Sequence, residues 1–286
     1  MDWIDRMNAA VAYIEEHLTE DFDVEEAAAI AHCSSYHFQR IFGAMASVTV
    51  AEYVRRRRMS LAVADLRGGL SILDVAIKYG YSSPTSFNRA FQSVHGIPPS
   101  LAKLDGVTVK SFTPISFTVT VTGRGQLNYR IEDKPTFRVL GISTPLDMEG
   151  DPEMGGLYQF WEAAESSGLT AQIAALNDTG PRGLLGVMTG DDDLVDWQYC
   201  LATASTQPAS EPLEELIVEA ATWAIFPFEG GPKTIGALWE RIIKEWMPTS
   251  GYEYTRGPEI EAYLGDTPSV EKYEIWIPIT PASPDR

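Results

Sequence analysis

Over the first hundred residues, apolar positions recur at helical spacing and none of the segments alternates as a strand does. The segments VEEAAAIAH and LDVAIKYG each place a small residue on an apolar face, and a short polar turn follows each. A serine comes next, then a helix with phenylalanines at i and i+4. At an offset of 49, residues 24–45 overlay residues 73–94, with Ala27 on Ala76, Ser34 on Ser83, Phe38 on Phe87, Arg40 on Arg89 and Phe42 on Phe91. Ser34 and Ser83 stand where a hydroxyl caps the first free N–H groups of a helix, and Gly80 lies in the second turn, where a positive φ costs a glycine little. Helix, tight turn and capped helix form a helix-turn-helix, here present twice. Between the copies, VAEYVRRRRMSLAVADLR predicts one long amphipathic helix with Val50, Tyr53, Val54, Met59, Leu61–Val63 and Leu66 inward.

Beyond this region the pattern changes. The Thr-rich stretch SFTPISFTVTVTG alternates and predicts a strand on or near a linker. After it, NYRIEDKPTFRVLGIST reads as strands, GGLYQFWEAAESSGL as a helix, and LLGVMTGDDDLVDWQYCLATAS as a pair of strands. The order then recurs: EELIVEAATWAIFPFEG is strand-like, GALWERIIKEWMPTSG is helical, and IEAYLGD and KYEIWIPIT are strands. FRVLGI followed by LYQFWEAA parallels WAIFPF followed by IGALWERII. The fold class expected is multidomain: an all-α N-terminal domain with two helix-turn-helix units over residues 1–107, a connection over 108–127, and an α+β domain of duplicated β-α-β-β units over 128–286. A groove between two such halves is a natural ligand site.

Composition adds little, but charge adds much. The chain of 286 residues carries a formal net charge of −18, which argues against a nucleic-acid partner until its distribution is read. Residues 33–103 hold nine basic residues (Arg40, Arg55, Arg56, Arg57, Arg58, Arg67, Lys78, Arg89, Lys103) against three acidic ones (Glu52, Asp65, Asp74), a local +6. Phosphate binding follows the charge of the contacting face. No apolar run reaches the ~18 residues that cross a bilayer, so no membrane partner is expected. Two cysteines, Cys33 and Cys200, form no framework or metal pattern, and a cytoplasmic protein is expected.

The exposed positions of the two second helices are the expected DNA readers: Ser35, Tyr36, His37, Gln39 and Arg40 in the first, Thr85, Ser86, Asn88 and Arg89 in the second. Arginine suits guanine, glutamine and asparagine suit adenine, and Tyr or Thr meets a thymine methyl. Arg55–Arg58 cannot all face one way on a helix, so two are expected at phosphates and the others at carboxylates.

These segments resemble the AraC/XylS DNA-binding domain, including its A-x-x-x-G-(F/Y)-x-S-x-x-x-F-x-R-x-F-(K/Q) signature. Here it reads Ala76, Gly80, Tyr81, Ser83, Phe87, Arg89, Phe91 and Gln92, followed by Gly96, Pro98, Pro99 and Ser100. The match covers roughly residues 5–105. Pro84 departs from the pattern, standing where relatives often place a polar reader. The resemblance implies binding to double-stranded promoter DNA and contact with RNA polymerase.

The second half resembles the GyrI-like effector-binding domain through RIEDKPTFRVLGIS, WAIFPFEG, IIKEWMPTSGYEYTRGPEIEAYLGD and YEIWIPI, over about residues 128–280. That resemblance implies an acidic residue in an aromatic-walled pocket for a small cationic or polarised effector. It points to Glu261, with Tyr158, Trp161, Tyr199, Phe226, Tyr263 and Trp276 as candidate walls; Glu259 points to the opposite face if Ile260 is buried. Aromatic faces favour cations, and a desolvated carboxylate adds charge selectivity.

All four histidines precede residue 96, so the second half has no imidazole for a triad or a metal site. It has no nucleophile elbow, P-loop, HExxH or dinucleotide fingerprint, and Asp191–Asp193 reads as a solvated turn. No cofactor, metal or enzymatic activity is expected. The alternatives are a second domain that binds a protein partner, or a GyrI-like hydrolase using Glu261.

Overall fold

A computed structural model of the chain describes residues 3–20, 22–118, 126–146, 155–190, 197–230, 234–264 and 272–282. The chain divides into two compact units, Met1–Val119 and Thr120–Arg286. The Tyr36 side chain and the Asp191–Asp193 run lie outside the described residues.

The first unit is helical: α1 (Trp3–Glu16), α2 (Val24–Ile30), α3 (Ser35–Ala46), α4 (Val50–Arg67), α5 (Ile72–Lys78), α6 (Pro84–His95) and α7 (Pro99–Ala102). Asp23, Ser34, Thr49, Ser71 and Ser83 cap α2 to α6, each side chain accepting a backbone N–H two or three residues on. Each such cap stabilises its helix by about 1 kcal/mol.

The repeat is real, but its offset changes along the copy. α2 maps onto α5 at a shift of 48 and α3 onto α6 at 49, because four residues separate the first pair and five the second. The buried pair Ala27 and Ala28 therefore corresponds to Val75 and Ala76, and the counterpart of Ala76 is Ala28. The turn residue with positive φ is Gly80 (79°) in the second copy and His32 (57°) in the first. The extra residue follows it.

α4 belongs to both copies. Its Tyr53 ring meets Phe42 at 5.4 Å, and Phe42 meets Phe38 at 5.9 Å. Farther along, Met59, Ala62, Val63 and Leu66 pack with Val75, Ala76, Phe87 and Phe91 in a second core. Leu61, expected inward, is 36% exposed. It lies between the sides that Tyr53 and Ala62 bury.

The four consecutive arginines all have partners inside the protein. Arg55 and Arg56 bind Glu52, Arg57 binds Glu15 and the Phe112 carbonyl, and Arg58 donates to the carbonyls of Leu18 and Glu20. The Thr-rich stretch forms no strand over its described part, residues 111–118. Its backbone is instead hydrogen-bonded by side chains of the helical unit: the N–H of Phe112 to Ser60 (2.9 Å), that of Ile115 to Tyr53 (3.3 Å), and both polar groups of Phe117 to the Asn8 amide. The Phe117 ring is buried edge-on to Phe42 at 5.8 Å. Side-chain partners satisfy this backbone as a ladder would.

The second unit comprises β1 (Arg130–Lys134), β2 (Phe137–Pro145), α8 (Gly155–Ser166), α9 (Leu169–Ala175), β3 (Leu184–Thr189), β4 (Gln198–Ala204), β5 (Glu214–Val218), β6 (Ala221–Glu229), α10 (Ile235–Arg241), β7 (Tyr252–Tyr254), β8 (Glu259–Tyr263) and β9 (Lys272–Pro281). α10 runs on through a wide turn over Ile242–Trp246. Among the described residues the strands form one antiparallel sheet, ordered β1-β6-β9-β8-β3-β4-β2-β5, with β7 beside β9. The β-α-β-β units are β2-α8-β3-β4 and β6-α10-β8-β9. Each is preceded by a strand that crosses to the other unit, β1 to β6 and β5 to β2. The order reads as a twofold about the β8–β3 pair. One sheet face carries Val139, Leu185, Val187, Cys200, Ala202, Trp223, Ile225, Ile260, Ala262 and Trp276 as a core cluster.

Gly80→Ala is expected to lower the stability of the helical unit by about 1 kcal/mol, while His32→Gly is expected to raise it by up to about 1 kcal/mol; thermal unfolding by circular dichroism reads both signs. A second expectation concerns acid. Burial opposes the charged form of Glu15, but hydrogen bonds from Arg57 and Tyr53 outweigh it and hold the carboxyl below its ordinary 4.5. A lowered folded value means stability that is present above pH 4.5 and is lost as pH falls through the folded value. Urea midpoints measured across the acid range should fall less steeply for Glu15→Gln than for the wild-type chain.

Candidate functional site

Two places in the molecule gather chemistry. The first is the outer side of α3 and α6. Phe87 and Phe91 are fully buried, which turns Thr85, Asn88, Arg89 and Gln92 outward, and Thr85, Arg89 and Gln92 are exposed. With Ile72, Leu73 and Pro84 these four residues line a shallow depression of about 620 Å³. Pro84 occupies the first turn of α6, where its missing N–H breaks no hydrogen bond. The Ser86 hydroxyl is turned back into the helix cap, donating to the Ser83 carbonyl at 2.8 Å.

In α3, Gln39 and Arg40 are half-buried and reach the surface. Two residues expected with them do not: Ser35 is 1% exposed and His37 3%. The His37 ring lies 2.9 Å from Ser34 Oγ, so the cap that starts the helix draws this side chain inward. Both side chains are buried within the helical unit and do not lie on the outer face as expected.

The second place is the centre of the sheet. Glu261 on β8 is 8% exposed and stands opposite Gly186 on β3, the neighbouring strand across the pseudo-twofold. Trp239 of α10 donates its indole N–H to Glu261 Oε1 at 2.9 Å, and the Tyr263 phenol donates to Oε2 at 2.8 Å. Trp161 of α8, the counterpart of Trp239 in the repeat, donates to Tyr199 Oη at 3.0 Å, and the Tyr199 and Tyr263 phenols are hydrogen-bonded to each other. A chain of polar contacts thus runs from α8 through β4 and β8 to α10 with the carboxylate in its path. Burial and the nearby Glu261 charge hold both phenols well above their ordinary range, so both stay neutral. Gly186 is what admits Tyr199, since a Cβ there would lie 2.6 Å from the phenol's Cζ.

Of the expected walls, Trp161, Tyr199 and Tyr263 surround Glu261, and three do not. Trp276 lies on the opposite sheet face, paired with Ile260, and donates to Glu274 at 2.8 Å. Phe226 shares the face of Glu261 but packs on Tyr129 and Trp246, with Ile275 between it and the carboxylate. Tyr158 is 61% exposed on α8. Ile260 is fully buried, but Glu259 does not take the face opposite Glu261 as expected, because residues two apart on a strand share a face. The same alternation puts Glu259 on the face of Glu261, and it too is buried, at 1% exposure. The sequence reading missed Trp239 and Gly186. The parallel between LYQFWEAA and IGALWERII carried a signal for Trp239, since it sets Trp239 on Trp161.

Gly186→Ala is expected to cost about 1–3 kcal/mol by forcing the buried Tyr199 from its place. Gly236→Ala in α10, where nothing lies within 4 Å of the new methyl, should be neutral or stabilising. Thermal unfolding of the two variants side by side tests the assignment.

Comparison with known proteins finds two family matches along the chain. Residues 127–280 match the GyrI-like small molecule binding domain and residues 27–103 a helix-turn-helix domain. The right origin-binding protein of Shigella flexneri is 25% identical over 293 aligned positions, covering 98% of this chain and 99% of the relative. The transcriptional regulator Rob of Salmonella typhimurium is 23% identical, again covering 98% and 99%. Among solved structures, SAV2435 bound to tetraphenylphosphonium aligns with a TM-score of 0.48 at 18% identity, over 54% of this chain and 94% of that one. The chain belongs to the GyrI-like family, its small-molecule-binding domain joined to a DNA-binding unit of AraC type in a transcription regulator.

Proposed function

We propose that this regulator reads promoter DNA with Gln39 and Arg40 of α3 and Thr85, Asn88 and Arg89 of α6, and binds a compact aromatic cation at Glu261. The observation that supports the second half is the buried carboxylate: Glu261 is 8% exposed and accepts hydrogen bonds from the Trp239 indole and the Tyr263 phenol. A carboxylate held at low exposure among aromatic faces favours a cation. The second domain then acts as a binder, not a catalyst, which accords with its lack of any histidine. The regulator works in the cytoplasm and acts on RNA polymerase at the promoters it occupies.

Binding of tetraphenylphosphonium, followed by calorimetry, tests the effector site. Glu261→Gln keeps the side chain's size and removes its charge, and is expected to weaken binding at least about tenfold. Equal affinity of the variant would overturn the assignment. A protein retained in pull-downs with no small-molecule binding would favour a partner-binding domain. Ester turnover abolished by Glu261→Gln would favour a hydrolase. On the DNA side, Arg40→Ala and Arg89→Ala are each expected to cost about 1–3 kcal/mol and to relax different halves of the selected site. In vitro selection of binding sites measures both; unchanged selectivity in both variants would show that these helix faces do not read bases.

A further inference from the structure

α6 carries Thr85, Asn88, Arg89 and Gln92 at positions i, i+3, i+4 and i+7, so one side of the helix presents four polar side chains to the same depression. Gln92 is not an independent member of this set. Its Nε2 donates to Asn88 Oδ1 at 2.9 Å, one helical turn back. We infer that Gln92 is a positioning residue that sets the base preference of Asn88, turning it from an adenine reader into a hydrogen-bond donor for guanine or thymine. The inference rests on the reading of α6 as a base-contacting helix.

The chemistry follows from the two ends of a primary amide. Asparagine recognises adenine by using both: its oxygen accepts from N6–H and its nitrogen donates to N7. In this helix the Asn88 oxygen accepts from Gln92, one turn further along the axis, which aims it along the helix and away from a base in front of it. Nδ2, with its two N–H groups, is then the end left to face a base. A group that only donates matches edges that only accept, namely guanine O6 and N7 or thymine O4, and it gains nothing from the adenine amine. Such amide pairs are weak on a wet helix surface. Docking on DNA removes water from around the pair and strengthens it at the moment the base is read.

The readout is the base preference at the single position that Asn88 touches, determined by in vitro selection with the full chain. Asn88→Ala locates that position by flattening it. The wild-type protein should prefer guanine or thymine there. Gln92→Ala frees the Asn88 oxygen, and the preference should move to adenine by roughly tenfold, with all other positions unchanged. Gln92→Glu accepts but cannot donate, so Asn88 turns over to give its N–H inward, and its outward oxygen should favour the amines of cytosine or adenine. Gln92 is exposed, so neither change threatens the fold.

If Asn88→Ala flattens one position while Gln92→Ala leaves the wild-type preference in place, this inference fails and the reading of α6 stands. If Asn88→Ala alters no position, the reading of α6 fails and takes the inference with it. A wild-type preference for adenine at the Asn88 position would also overturn it.

Discussion

Burial of two phenylalanine pairs against a single long helix is the constraint on which the DNA-binding half depends. Phe38 and Phe42 close a core shared with one end of α4, and Phe87 and Phe91 close another with its farther turns. Each pair spans one helical turn, so burying it fixes the rotation of α3 or α6 about its own axis. The outward faces are what remains once the apolar faces are placed, and one helix common to both cores holds the two copies in one body.

The opposite problem governs the second half, where a carboxylate is buried at the centre of a sheet. A desolvated charge is costly unless donors surround it. The repeat meets this by aiming equivalent tryptophans, Trp161 and Trp239, inward from two helices and letting two phenols complete the chain. Pseudo-symmetry brings the donors together and is broken where the function lies: Glu261 on one side of the axis faces Gly186 on the other. An exact repeat would have set two carboxylates or two glycines there.

Charge in the helical half is less available than a residue count suggests. The surplus of +6 over residues 33–103 includes Arg55–Arg58, all of which bind Glu52, Glu15 or backbone carbonyls. Arg57 and Arg58 tie α4 to Glu15, to the carbonyls of Leu18 and Glu20 and to Phe112, while Arg55 and Arg56 pair with Glu52 within the helix; together they raise the local potential without each being a phosphate ligand. The exposed Arg89, by contrast, lines one depression with Thr85, Asn88 and Gln92.

What could be read from the sequence was everything that local chemistry decides. Serine caps and aromatic pairs one turn apart are encoded within a few residues, the twofold repeat in each half shows as self-similarity along the chain, and Glu261 was reached through the family resemblance. Tertiary structure decided the rest, because the deciding partner lies far along the chain. Whether His37 faces outward depends on how its ring meets Ser34 in a packed unit, and the face taken by Trp276 depends on its register with Ile260. The crossing of β1 and β5 between repeats leaves no local mark, since strand composition is the same whichever neighbour it joins. Gly186 is silent in isolation. Its role exists only because a phenol from β4 needs the space that a side chain would fill.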